Sequence, residues 1–133
     1  EAEAALRAQI AALSLGDRVT LLGRVSDDAL VDHLGRCRAV AFTPLSEDYG
    51  FVTAEAFASA KPVITTTDSG GPAELVRHDS NGKVVAPDAG ALAEAIGQVM
   101  HDAALAERLG TSALQVASGM RWSLVAETLS RPV

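Results

Sequence analysis

The sequence has a single cysteine, Cys37, among its 133 residues. That excludes an internal disulfide and any metal site built on cysteine spacing. Cys37 sits between Arg36 and Arg38, a setting that can lower a thiol pKa, but it directly precedes an apolar run and is expected as a packed core thiol. Positive charge is also scarce: 11 Lys and Arg against 17 Asp and Glu leave a net charge of −6 and a pI near 4.9. Nothing clusters the basic residues that a phosphate backbone needs, so no nucleic-acid partner is expected. There is no apolar run of about 18 residues, the length that marks a membrane-spanning helix, so no membrane span is expected. A signal peptide is not visible either, since the chain opens Glu1-Ala2-Glu3-Ala4 instead of with a basic and then an apolar segment. That opening has no initiator Met and falls inside a helix pattern, so the chain is expected to be a fragment whose earlier part is missing.

What is present is a hydrophobic content of 48% in about one domain's length, enough for a core. A single domain over residues 1–133 is expected. Residues 2–13 are strong helix formers with Leu6, Ile10 and Leu13 on one face, stopped near Gly16. Residues 18–23 read as a strand. Ser26 is a natural N-cap for a helix over 27–36, whose first turn carries Asp27 and Asp28. Apolar runs at 39–42 and 62–66 are short enough to be buried parallel strands. Between them lies a helix over 51–58, and after the second comes a short helix from Pro72 to about Arg77. The turn at 78–82 leads to a strand over 83–86. Pro87 and Asp88 start a helix over 89–100, and Asp102 caps another towards Ser118, with a break or fraying at Gly110 left open. Ser123 is expected to cap a last helix that Trp122 anchors to the body, stacking on a sugar being the alternative role for that tryptophan. His33, His78 and His101 have no partner at ligand spacing and read as solvated residues. This βα alternation specifies an α/β fold, Rossmann-like, with a parallel sheet in a three-layer α/β/α arrangement.

The chain is organised around residues 45–74, L-S-E-D-Y-G-F-V-T-A-E-A-F-A-S-A-K-P-V-I-T-T-T-D-S-G-G-P-A-E. Two strands deliver two loops, one through Glu47, Asp48, Tyr49 and Gly50 and one through Asp68, Ser69, Gly70 and Gly71. Each loop runs into a helix start. In an open α/β sheet both loops lie at the carboxyl ends of their strands, where ligands bind, and free N–H groups at helix starts favour an anion such as a phosphate. Carboxylates accept hydrogen bonds from two hydroxyls at once, so Glu47 and Glu55 suit a ligand that offers hydroxyls on either side of the anion.

The spacing Glu47-x7-Glu55 with Gly50 between, followed by Lys61-Pro62, a strand, Gly70-Gly71 and Glu74, resembles the E-x7-E element of retaining GT-B glycosyltransferases of the group-1, GT4-like family. The likeness runs from about Arg18 to Leu129. It implies the C-terminal, donor-binding half of a GT-B fold, truncated at its N-terminal side. It also implies transfer of a hexose from a nucleotide-diphosphate sugar, such as a UDP-, GDP- or ADP-sugar, with retention and without an obligatory metal. Glu47, which the resemblance makes the catalytic candidate, would hold hydroxyls of the transferred sugar, and Glu55 those of the ribose. Gly50, Phe51 and Val52 would offer main-chain N–H groups to the sugar and distal phosphate. Arg24 and Val25 fall where such enzymes read the base. Gly70 and Gly71 suit either ligand contact or tight loop geometry, and Glu74 reads as a helix-start residue. Asp48 and Tyr49 depart from the Gly and Phe frequent in relatives, placing extra negative charge near a diphosphate, and Ala60 stands where a glycine is frequent.

The resemblance further implies an N-terminal acceptor-binding domain and an upstream Arg and Lys clamp as missing partners, so the chain by itself is expected to be inactive. A cytoplasmic location is expected, with peripheral membrane association through the absent part left open. Two rival readings are a nucleotide-sugar epimerase of the same architecture and a non-catalytic interaction module that retains the fold.

Overall fold

In the computed structural model, which describes residues 2–121, two compact units form, Glu1–Val31 and Asp32–Val133. The first holds helix α1 (Ala2–Ala12), none of whose residues is buried, with Leu6 exposed and Ile10 half-buried. The expected strand over 18–23 does not form. Those residues run as turn and irregular backbone, and among the described residues they join no ladder. A strand exists only through hydrogen bonds to a neighbour, so an apolar run without a partner stays irregular. Helix α2 (Asp27–Arg36) follows with the bounds expected, and its Ala29 N–H donates to the Ser26 hydroxyl at 3.3 Å.

The second unit is built on a three-stranded parallel sheet in the order β1 (Val40–Ala41), β2 (Val63–Thr66), β3 (Gly82–Val85). Between them run α3 (Phe51–Ala58) and α4 (Gly71–Leu75), and after them α5 (Ala89–His101) and α6 (Ala103–Gly119). All four residues of β2 are buried, as befits the middle strand of a parallel sheet. Successive side chains of a strand point to opposite faces. Accordingly Val63 packs with Ala56 and Phe57 of α3, Val76, and Ala113 of α6. Ile64 packs on the other side with Ala95 and Val99 of α5 and Ala106 and Leu109 of α6. Helix α6 thus closes both faces.

Local chemistry fixes the ends. The Asp88 carboxylate accepts from the Ala91 N–H and the Asp102 carboxylate from the Leu105 N–H, both at 2.9 Å, as the side chains of N-caps do. Helix α4 begins at Gly71, so Pro72 is its second residue, and it stops at Leu75. The helix ends there because buried Asn81 takes over its last groups. Its side-chain oxygen accepts from the Arg77 N–H at 2.7 Å, and its amide donates to the Leu75 carbonyl at 3.3 Å. No break occurs at Gly110. A β-carbon there would lie 2.2 Å from the Ala60 carbonyl oxygen, so the glycine serves close packing of α6 against the end of α3. Cys37 is half-buried and belongs to neither core cluster, contrary to expectation. Burial raises its thiol pKa, and the opposing charge comes from Lys61. His78 is exposed, and its Nδ1 lies 2.8 Å from the Val84 carbonyl oxygen. The expected Trp122 anchor, Ser123 cap and last helix fall outside the described residues.

One ion pair carries a pH signature. The Lys83 ammonium, almost wholly buried in β3, donates to Asp79 and, at 2.8 Å, to Gln98. The hydrogen bond from Lys83 holds the Asp79 carboxyl below its ordinary pKa. The stability it adds is therefore present above pH ~4, the unfolded value, and is lost as pH falls through the lower folded value. Asp79→Asn keeps a residue that tolerates the left-handed backbone at φ 60°. It is expected to lower the urea midpoint at pH 7 while flattening its decline on acidification. An unaltered acid limb would show that the pair contributes nothing.

Candidate functional site

The site is the carboxyl end of β1 and β2, where the two loops are tied to each other by main chain. The Ser46 N–H donates to the Asp68 carbonyl and the Glu47 N–H to the Ser69 carbonyl, both at 3.0 Å, and the Gly71 N–H returns a bond to the Glu47 carbonyl at 2.8 Å. Glu47 and Gly70 form a parallel bridge. Contact this close explains the glycine pair. A β-carbon on Gly70 would stand 2.5 Å from the Glu47 carbonyl oxygen, and one on Gly71 2.5 Å from that of Asp48. Gly70 also has φ 72°, a conformation that a side chain opposes.

The start of α3 is shaped from below. Gly50, buried with φ 73°, is its N-cap, and a β-carbon there would meet the Pro72 ring at 2.6 Å. Pro72 is therefore a buried platform under both loops, a role its helix-start position had not suggested. The Thr53 N–H is tied to the Gly50 carbonyl at 2.8 Å, and no side chain caps the helix. Phe51 and Val52 occupy the first turn, where a helix offers its own N–H groups no internal acceptor. Such donors and the dipole of a helix start suit an anion.

Glu47 and Glu55 are both exposed, and among the described residues neither enters an ion pair or side-chain hydrogen bond. Asp48 is exposed as well. The rings of Tyr49 and Phe51 meet in a tilted contact, centroids 4.9 Å apart at 52°. Their mutual contact had no signature in the spacing, because Gly50 between them takes a backbone turn that only the fold specifies. The structure thus gathers Glu47, Gly50, Phe51, Val52, Glu55, Gly70 and Gly71 in one unit. Glu74 is exposed in the first turn of α4. Arg24 and Val25 belong to the first unit, in the loop after Gly23, which has φ 63°. Among the described residues no group of three or more His, Cys, Asp or Glu is placed to hold a metal ion, and no helix is long and apolar enough to cross a membrane.

Residues 1–116 match the family model described as glycosyl transferases group 1. The human alpha-1,3/1,6-mannosyltransferase ALG2 is 33% identical over 105 residues, which is 79% of this chain and 25% of that protein. Among solved structures, sucrose-phosphate synthase from Thermosynechococcus elongatus superposes with a TM-score of 0.83 at 29% identity, covering 93% of this chain and 31% of its own. Anabaena Alr3699/HepE, solved in complex with UDP and glucose, gives a TM-score of 0.78 at 32% identity, with 94% and 35% covered. The chain therefore spans about a quarter to a third of the length of these three proteins.

Proposed function

Because the chain belongs to the group 1 glycosyl transferases, we propose that it is the part of such an enzyme that binds a nucleotide-diphosphate sugar, from which a hexose passes to an acceptor with retention. The observation that carries this reading is the uncapped first turn of α3, with Glu47 before it and Glu55 within the helix, both carboxylates unpartnered among the described residues. The N–H groups of Phe51 and Val52 meet the distal phosphate. Glu47 accepts from hydroxyls of the sugar, and Glu55 from those of the ribose, through charge-assisted bonds. Charge growing on the leaving diphosphate is met by donors already in place, which need no rearrangement as the bond breaks. The UDP complex of HepE supports a nucleoside diphosphate as the class of ligand. Arg24 and Val25 are assigned to the base, and Gly70 and Gly71 act by holding the Glu47 loop. Transfer itself requires an acceptor positioned against the anomeric carbon, which accounts for much of a catalytic barrier and falls to parts of the enzyme other than this chain. The site is assigned to the cytoplasmic side, where activated sugars are made.

The test is a titration of the chain with UDP, GDP and ADP, followed by NMR through the amides of residues 50–53 and 70–71. Saturable shifts are expected there for one base. Amides that stay put for all three at millimolar concentration would overturn the reading. Glu55→Ala is expected to weaken that binding by ~1–3 kcal/mol, the loss of a hydrogen bond to a charged group. Unchanged affinity removes Glu55 from the ribose. Glu47→Ala should hurt binding of the sugar nucleotide more than that of the free diphosphate, and equal losses would argue against its contact with the sugar.

A further inference from the structure

A second cleft opens at the opposite end of the sheet, where the strands begin. It has a volume of about 440 Å³, within the size range of small-molecule sites. Arg38 stands two residues before β1 and Lys61 two residues before β2, so both reach the cleft from the strand starts. Arg36 at the end of α2 and Cys37 complete that wall, and α6 forms the other with Ala103, Ala106, Glu107 and Thr111. In a chain of net charge −6, three cations line this cleft with one carboxylate, Glu107, although Asp32 pairs with Arg36 beside it.

The three cations are not equivalent. Arg36 pairs with Asp32 at 2.7 Å, and Arg38 donates to the Met100 carbonyl at the end of α5. Both are thereby held in place, and each guanidinium keeps further N–H donors, since it carries five. The Lys61 N–H donates to the Ala56 carbonyl at 2.9 Å, but its ammonium has no hydrogen-bond or ion-pair partner among the described residues, although the residue is half-buried. Its charge is felt by the Cys37 thiol, where it opposes the effect of burial. An ammonium without a counter-ion, beside two anchored guanidinium groups, is an arrangement that an anion would stabilise. The floor of small residues, Ala60, Ala103 and Ala106, leaves room for a ligand larger than a water molecule, and the Thr111 hydroxyl adds a neutral donor or acceptor. Asp102 uses its carboxylate as the α6 cap, so the helix start contributes little to attraction here.

We infer that this cleft binds a phosphate monoester, held by Lys61 with Arg36 and Arg38. The group comes from a soluble phosphorylated metabolite or from a lipid headgroup. The site is independent of the donor loops, which lie at the other ends of the same strands.

Cys37 makes the inference measurable, because it is the chain's one thiol and lines the cleft. Its rate of alkylation by iodoacetamide is the readout, with glycerol 3-phosphate and inorganic phosphate as probes and chloride at matched ionic strength as control. The phosphates are expected to slow alkylation several-fold and saturably. Lys61→Gln should abolish the protection and Glu107→Gln should strengthen it, neither change disturbing an interaction that the fold uses. A second arm measures sedimentation with phosphatidylcholine vesicles with and without phosphatidic acid. Binding only to the acidic vesicles, lost in Lys61→Gln, assigns the headgroup. Protection by soluble monoester without vesicle binding assigns the metabolite. Chloride and phosphate acting alike, with no vesicle binding, overturns the inference, whereas the nucleotide titration of residues 50–53 reads only the donor site.

Discussion

Gly70→Ala is expected to be among the most damaging single substitutions in this chain, and to remove nucleotide binding along with stability. The φ of 72° costs a residue with a side chain ~1–3 kcal/mol. The β-carbon would in addition lie 2.5 Å from the Glu47 carbonyl oxygen and 3.1 Å from the Glu47 nitrogen, both main-chain atoms. Relief requires the two loops to separate, at the further ~1–3 kcal/mol that overpacking costs. Separation breaks the Glu47 to Ser69 and Gly71 to Glu47 bonds, and with them the geometry that presents the first turn of α3. Urea denaturation and nucleoside diphosphate affinity measured on one sample check both halves. Gly97→Ala is the control of opposite sign. That glycine lies within α5 with nothing within 4 Å of the added carbon, so alanine should stabilise by ~0.5–1 kcal/mol through helix propensity. If both variants behave alike, the close approach of the loops is not what Gly70 serves.

Phe57→Ala is expected to cost ~3–5 kcal/mol, the range for emptying a fully buried aromatic site. Phe57 is completely buried and is the largest side chain of the cluster that joins α3 to β2, Val76 and Ala113 of α6. Domains of this size have only ~5–15 kcal/mol in hand, so the variant should approach the limit of folding at 37 °C. The loss is structural in origin, and its nucleotide affinity at low temperature, while folded, should fall less than that of Glu55→Ala. A denaturation midpoint close to that of the parent would mean that α3 is held by its loops and not by its core face.

Much of this arrangement was legible in the residues. Helices α2 and α3 have the bounds that Ser26 and the apolar run 51–58 indicate, and Asp88 and Asp102 cap as their types suggest. These signals are local, since a cap and its N–H groups lie within one turn. The early end of α4, set by Asn81 six residues on, is a local miss, whereas the other misses, and the question left open at Gly110, are non-local. Residues 18–23 carry a strand's composition, but composition does not supply a ladder partner. Gly110 carries a helix breaker's signature, yet what decides it is the Ala60 carbonyl fifty residues away. Cys37 precedes an apolar strand but lies beyond the sheet's covered faces, at the rim of a charged cleft. At the site, Glu47, Gly50 and Glu55 could be selected from spacing, whereas the reason for Gly70 and Gly71 required the other loop to be in view.

The two loops are bonded through main-chain atoms and fitted through missing side chains. For protein engineering this makes residues 45–50 and 67–72 a single cassette. Grafting one segment alone from a relative with a different donor puts a foreign backbone against glycines cut to another shape. Specificity should therefore transfer only when both segments are exchanged together, with Pro72 kept as their common floor.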